Sequence, residues 1–63
     1  MHIYSFHFRF FSAFEEKIID VWRTITTSNK DAIGEALWAL STGFWYGMSE
    51  ASVNDIVEWE EVR

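Results

Sequence analysis

Between His2 and Phe11 the chain alternates residue by residue. Tyr4, Phe6, Phe8 and Phe10 fall on one side, and Ser5, His7 and Arg9 on the other. A period of two over this length specifies an extended strand, because successive side chains of a strand point to opposite faces. Aromatic side chains also suit a pleated surface. The chain must therefore cover one broad aromatic face, and the residues beyond this strand have to supply the cover.

The next segment admits two readings. Ser12 followed by Glu15 matches a helix capping box, and Phe14, Ile18, Val21, Trp22 and Ile25 recur at helical spacing. Against a helix, Ile18 to Thr27 is rich in β-branched residues, which lose side-chain freedom there. Residues 13–26 thus stay open between strand and helix, with the strand preferred. It would place Ile19, Val21 and Ile25 on one face, and Ile18, Trp22, Thr24 and Thr26 on the other. Ser12 to Glu16 then becomes a hairpin connection.

A helix is expected next, capped by Ser28 with Asp31 in its first turn. Ile33, Ala36, Leu37, Leu40 and Phe44 recur at helical spacing and are its expected core stripe. Gly43 or Gly47 can end it in the left-handed conformation, and if Gly43 does so Phe44 falls in the loop. Ser49 to Asn54 reads as a loop or a single turn. Asp55 to Val62 reads as a last strand, with Val57 and Trp59 on one face and Ile56, Glu58, Glu60 and Val62 on the other.

The expected fold is α+β: β-β-α-β, a three-stranded antiparallel sheet in order 2-1-3 with the helix over one face. A hairpin joins the first two strands, and the crossover returns the third beside the central aromatic strand. Charged strands then sit at the edges, where charge discourages stray pairing. The other sheet face has no second layer. Ile3, Phe11, Ile56 and either Trp22 or Val21 would be left on it.

Residues 1–63 make a single small domain. A chain of this size buries only about 60% of its unfolded surface, so disulfides, a metal or association normally support it. It has no Cys, and its two His residues lie on opposite faces of one strand, so neither a disulfide nor a zinc site is expected. No cofactor is implied, and a homodimer is the remaining device. No stretch reads as a secretory leader or a membrane span, so a cytoplasmic protein without a membrane partner is expected.

Ten acidic residues against five basic ones, the latter scattered, argue against direct nucleic-acid binding. For catalysis, no serine has a His–acid partner that spacing identifies, and His7 beside Arg9 reads as solvated. Glu58 and Glu60 share a strand face about 7 Å apart, but so small a fold offers no cleft for a substrate. An enzyme is not expected. The candidate partner-binding residues are Trp38, Trp45 and Tyr46, read as one helix flank, and the acidic strand residues Glu58, Glu60 and Glu61. Phe11 and Trp22 mark a candidate self-association face.

One resemblance adds to this. Trp22-Arg23-Thr24-Ile25-Thr26-Thr27, then Lys30-Asp31-Ala32 and Ala36-Leu37, resembles the strand-to-helix passage of small phage-encoded host-takeover and anti-defence proteins. Ile56-Val57-Glu58-Trp59 is similar to their closing strand. The likeness lies in element order and acidity, so no functional residue carries over. It implies an acidic viral inhibitor that occupies the surface of a host or defence protein in the host cytoplasm, by occlusion or by nucleic-acid mimicry. A self-assembling structural module is the alternative.

Overall fold

Phe6 and Phe8 are fully buried on one side of β1 (His2–Ser12), the central strand of the sheet. A computed structural model describes all residues 1–63. β1 pairs antiparallel with β2 (Lys17–Thr27) on one side and with β3 (Ile56–Glu61) on the other, giving order β2-β1-β3. The helix α1 (Ala32–Ser41) lies over one face. The fold is the β-β-α-β arrangement expected, and residues 17–27 are strand.

A four-residue turn, Ala13 to Glu16, joins β1 to β2, and Glu16 takes the left-handed conformation at φ 57°. The turn pairs Ser12 with Lys17, and every other pair is set by it: Tyr4 with Ile25, Phe8 with Val21, Phe10 with Ile19. One slip would turn every side chain over, so this register sets both sheet faces. Trp22, rather than Val21, is left on the uncovered face.

The helix begins later than Ser28. Asn29 donates its backbone N–H to Thr27 Oγ1, and Asp31 donates to Asn29 Oδ1, so residues 28–31 are held in tight turns. Asp31 is the N-cap, accepting from Gly34 N at 3.0 Å. At the other end Gly43, at φ 71°, stops the helix. Its N–H donates to the Leu40 carbonyl and that of Phe44 donates to the Ala39 carbonyl, the two hydrogen bonds of a Schellman ending.

The helix buries a different face from the one expected. Ala32, Ala36 and Ala39 pack inward, Leu40 is half-buried, and Ile33, Leu37 and Phe44 are exposed. The reason is volume. The sheet already presents Tyr4, Phe6, Phe8 and Phe10, and the chain beyond Gly43 turns back to insert Trp45 among them. The Trp45 ring meets Phe6 and Phe8 edge-on at 5.6 and 5.4 Å. Where the sheet supplies rings this large, only methyl-sized helix side chains fit at close packing.

Trp45 is therefore core, 6% exposed, and is neither helical nor on a flank with Trp38. Met48 is buried beside it, after the turn at Gly47. A single 3-10 turn, Val53–Asp55, leads into β3 behind a Ser52–Asp55 capping box. β3 carries a bulge: His7 pairs with Glu58, whereas Phe8 pairs with Ile56. The extra residue, Val57, is pushed outward. Ile56 and Trp59 both turn toward the helix side, which corrects the expected placing of Ile56 on the open face. Pairing continues past β3 through Ile3 with Val62 and Arg63.

Candidate functional site

On the face without the helix, β1 contributes Ser5, His7, Arg9 and Phe11, and β2 contributes Ile18, Asp20, Trp22 and Thr24. β3 adds Glu58 and Glu60. Cross-strand neighbours on one face lie close enough for their side chains to interact, and here His7, Arg9, Asp20, Trp22 and Glu58 form one connected group.

His7 is its centre. Far from being solvated, it is 9% exposed. Its ring stacks on the Trp22 indole, with centroids 4.3 Å apart and planes 11° from parallel. Nε2 lies 2.7 Å from Asp20 Oδ1, and Nδ1 lies 3.4 Å from Glu58 Oε1. Arg9 Nε donates to the same Asp20 oxygen at 2.8 Å. The His7 and Arg9 hydrogen bonds hold the Asp20 carboxyl below its usual range, against a smaller opposing push from burial. Nε2 is thus held by Asp20, while Nδ1 faces the exposed Glu58 carboxylate at the longer distance.

Beside this cluster lies a hollow of about 200 Å³, lined by Ser5, His7, Trp22, Glu58, Trp59 and Glu60. Glu60 takes part in no ion pair, and Glu58 in only the long one to His7. Farther along, Phe11 and Ile18 form an exposed apolar pair, and Phe14 stands in solvent at the hairpin turn. No group of three or more His, Cys, Asp or Glu residues is arranged to hold a metal ion.

The other expected binding residues are dispersed. Glu61 faces the helix side, where its carboxylate bonds His2 Nδ1 at 2.6 Å, so the acidic strand residues do not form one row. Trp38 is exposed on α1 and packs against Phe44 at 5.9 Å, which takes the place intended for Trp45. Tyr46 is 95% exposed. With Ile33 and Leu37, Trp38 and Phe44 make a second apolar surface.

The chain matches no protein-family model, no curated protein and no solved structure.

Its chemistry must be read from these side chains. His7, Arg9 and Asp20 do not stand out as a cluster in the sequence, although the signal is present. Once Ser12 is set opposite Lys17, pairing places His7 beside Trp22 and Arg9 beside Asp20. The loop from Thr42 to Ser52 has a separate, structural role. Glu50 accepts from Ser12 Oγ and Ala13 N, each at 2.7 Å, tying the hairpin turn to the loop. The Ser12 hydroxyl, then the Ala13 and Phe14 amides, draw the Glu50 carboxyl down. No helix is long and apolar enough to cross a membrane.

Proposed function

We propose that this protein is a non-enzymatic binding module that docks a partner protein against its open sheet face. The observation that carries the reading is the pairing of exposed apolar groups with exposed carboxylates on a face that has no second layer. Phe11 and Trp22 are 60% and 59% exposed there, beside Glu58 and Glu60. Exposed aromatics are the side chains most often used as binding anchors, and an acidic rim favours a partner with complementary positive charge. The element order shared with small phage inhibitors supports a viral inhibitor acting in the host cytoplasm by occluding a surface. Occlusion fits the geometry better than nucleic-acid mimicry, because Glu61 faces away from Glu58 and Glu60.

The test is capture from extracts of the native host with three baits: wild type, Phe11→Ser with Trp22→Ser, and Leu37→Ser with Trp38→Ser. Loss of the captured protein with the first double variant alone, at unchanged circular dichroism, is the expected result. Loss with the second alone would move the docking surface to the helix.

A second reading, self-association, is favoured by the second apolar surface at Ile33, Leu37, Trp38 and Phe44, and by the small core of only 10 buried residues. Sedimentation equilibrium separates the two readings. A monomer at high micromolar concentration overturns self-association.

A further inference from the structure

We propose that the hollow above Ser5 is a subsite for the guanidinium of one arginine side chain that a protein partner inserts into the open sheet face; this rests on the docking reading above. The hollow exists because Ser5 is small and its neighbours are not. On β1 the next residue on this face is His7, held upright by the Trp22 stack, and across β3 stand Glu58 and Glu60. At about 200 Å³ it admits the head of one side chain, being smaller than the ~300–1,000 Å³ typical of small-molecule sites.

Charge selects the occupant. No Lys or Arg lines the hollow, and Arg9, the one fixed cation on the face, is held by Asp20. The two glutamates therefore exclude an anion. A neutral apolar group would strip water from both and leave Glu60 with no partner at all, which is costly. A guanidinium meets both demands. Its N–H groups fan out in one plane and can bond two carboxylates at once, and Glu58 and Glu60 stand on backbone positions about 7 Å apart along one strand face. Its weakly hydrated faces tolerate an indole wall, whereas an ammonium is a compact and strongly hydrated point charge. The Trp22 ring is already fixed by His7, so little side-chain freedom remains to be lost on binding.

Nuclear magnetic resonance titrations of the full chain test this with three small probes at constant ionic strength: the acetylated amides of arginine, lysine and citrulline. The expected result is a saturable shift of the Ser5, Trp22 indole and Glu60 signals with the arginine probe, and none with citrulline. The lysine probe should bind more weakly. Glu60→Gln should weaken the arginine response about tenfold, the worth of one charge-assisted hydrogen bond, while leaving the Trp38 signals and the thermal midpoint in place. No saturable response to arginine, or an equal response to citrulline or lysine, overturns the assignment. A partner captured through Phe11 and Trp22 by a protein with no arginine response would overturn the subsite and leave the docking reading standing. A saturable arginine response without a captured partner would do the reverse.

Discussion

Trp22 lies flat against His7, and the same histidine ring joins Asp20 on one strand to Glu58 on another. One imidazole thus ties all three strands together on the face that the helix leaves bare. It also holds upright the largest exposed ring on that face.

The stack should be measurable as a coupling. In a double-mutant cycle of His7→Ala and Trp22→Ala, urea unfolding should give a coupling of about 0.5–1.5 kcal/mol, the usual worth of a stacked aromatic pair beyond its buried area. In His7→Ala alone, the Asp20 carboxyl should titrate at higher pH, because its largest stabilising hydrogen bond is gone. Additive stabilities together with an unmoved Asp20 carbon-13 titration would contradict the arrangement.

The tryptophans on either side of the helix ending should differ sharply. Trp45→Ala removes a ring packed on Phe6 and Phe8 and should cost about 3–5 kcal/mol. A core this small supplies only ~3–5 kcal/mol in total, so the variant should be unfolded. Trp38→Ser, at an exposed position, should stay within about 0.5 kcal/mol of wild type. Denaturation monitored by far-ultraviolet circular dichroism distinguishes them.

Gly34 should resist the usual gain from alanine. Alanine in a helix normally stabilises by about 1 kcal/mol relative to glycine. A Cβ at Gly34, however, would lie 2.5 Å from Asp31 Oδ2 and 2.9 Å from its Cγ, displacing the N-cap. Since a lost cap costs typically ~1 kcal/mol, Gly34→Ala should be near neutral or destabilising. In an Asp31→Ala background the same change should stabilise by about 1 kcal/mol, as thermal unfolding would show.

Stability should fall at both ends of the pH scale. Glu50 and Asp20 have depressed folded-state pKa values, so their contribution is present above the ordinary values of 4.5 and 3.8. It is lost as pH drops through the lower folded values. Glu50→Gln should lower the melting temperature at neutral pH and flatten the acid limb. Burial, with a further push from Glu61, raises the Tyr4 phenol above 10.0. Its contribution is present below that value and is lost as pH rises through the higher folded one, so Tyr4→Phe should flatten the alkaline limb. Differential scanning calorimetry across pH reads both limbs, and an acid limb unchanged by Glu50→Gln would remove the latch to the hairpin turn.

Much of the fold was legible because it rests on periods and punctuation. The alternation of Tyr4, Phe6, Phe8 and Phe10 marks the buried side of the central strand, and the β-branched run from Ile18 to Thr27 marks its partner. Gly43 and Gly47 mark the two candidate helix ends through a conformation that glycine adopts cheaply, and the structure takes the first. The candidate site was half legible. Phe11, Trp22, Glu58 and Glu60 stand out as residue types, but what joins Trp22 to Glu58 is His7, which by itself reads as a polar residue on a wet face.

Local pattern thus sufficed for the order of the elements and for the aromatic side of β1, and it favoured a strand for β2, since these follow from backbone geometry and from the alternation of side chains along a strand; that Trp22 rather than Val21 faces outward was decided by the pairing register. Three things depended on how the layers meet. The helix presents Ala32, Ala36 and Ala39 rather than Ile33 and Leu37 because the sheet had already filled the interlayer space with rings. Trp45 joins those rings because the chain reverses after Gly43, a path that no helical period describes. Ile56 turns inward because a bulge at Val57 shifts β3 by one residue, and register is a property of the paired strands rather than of either alone.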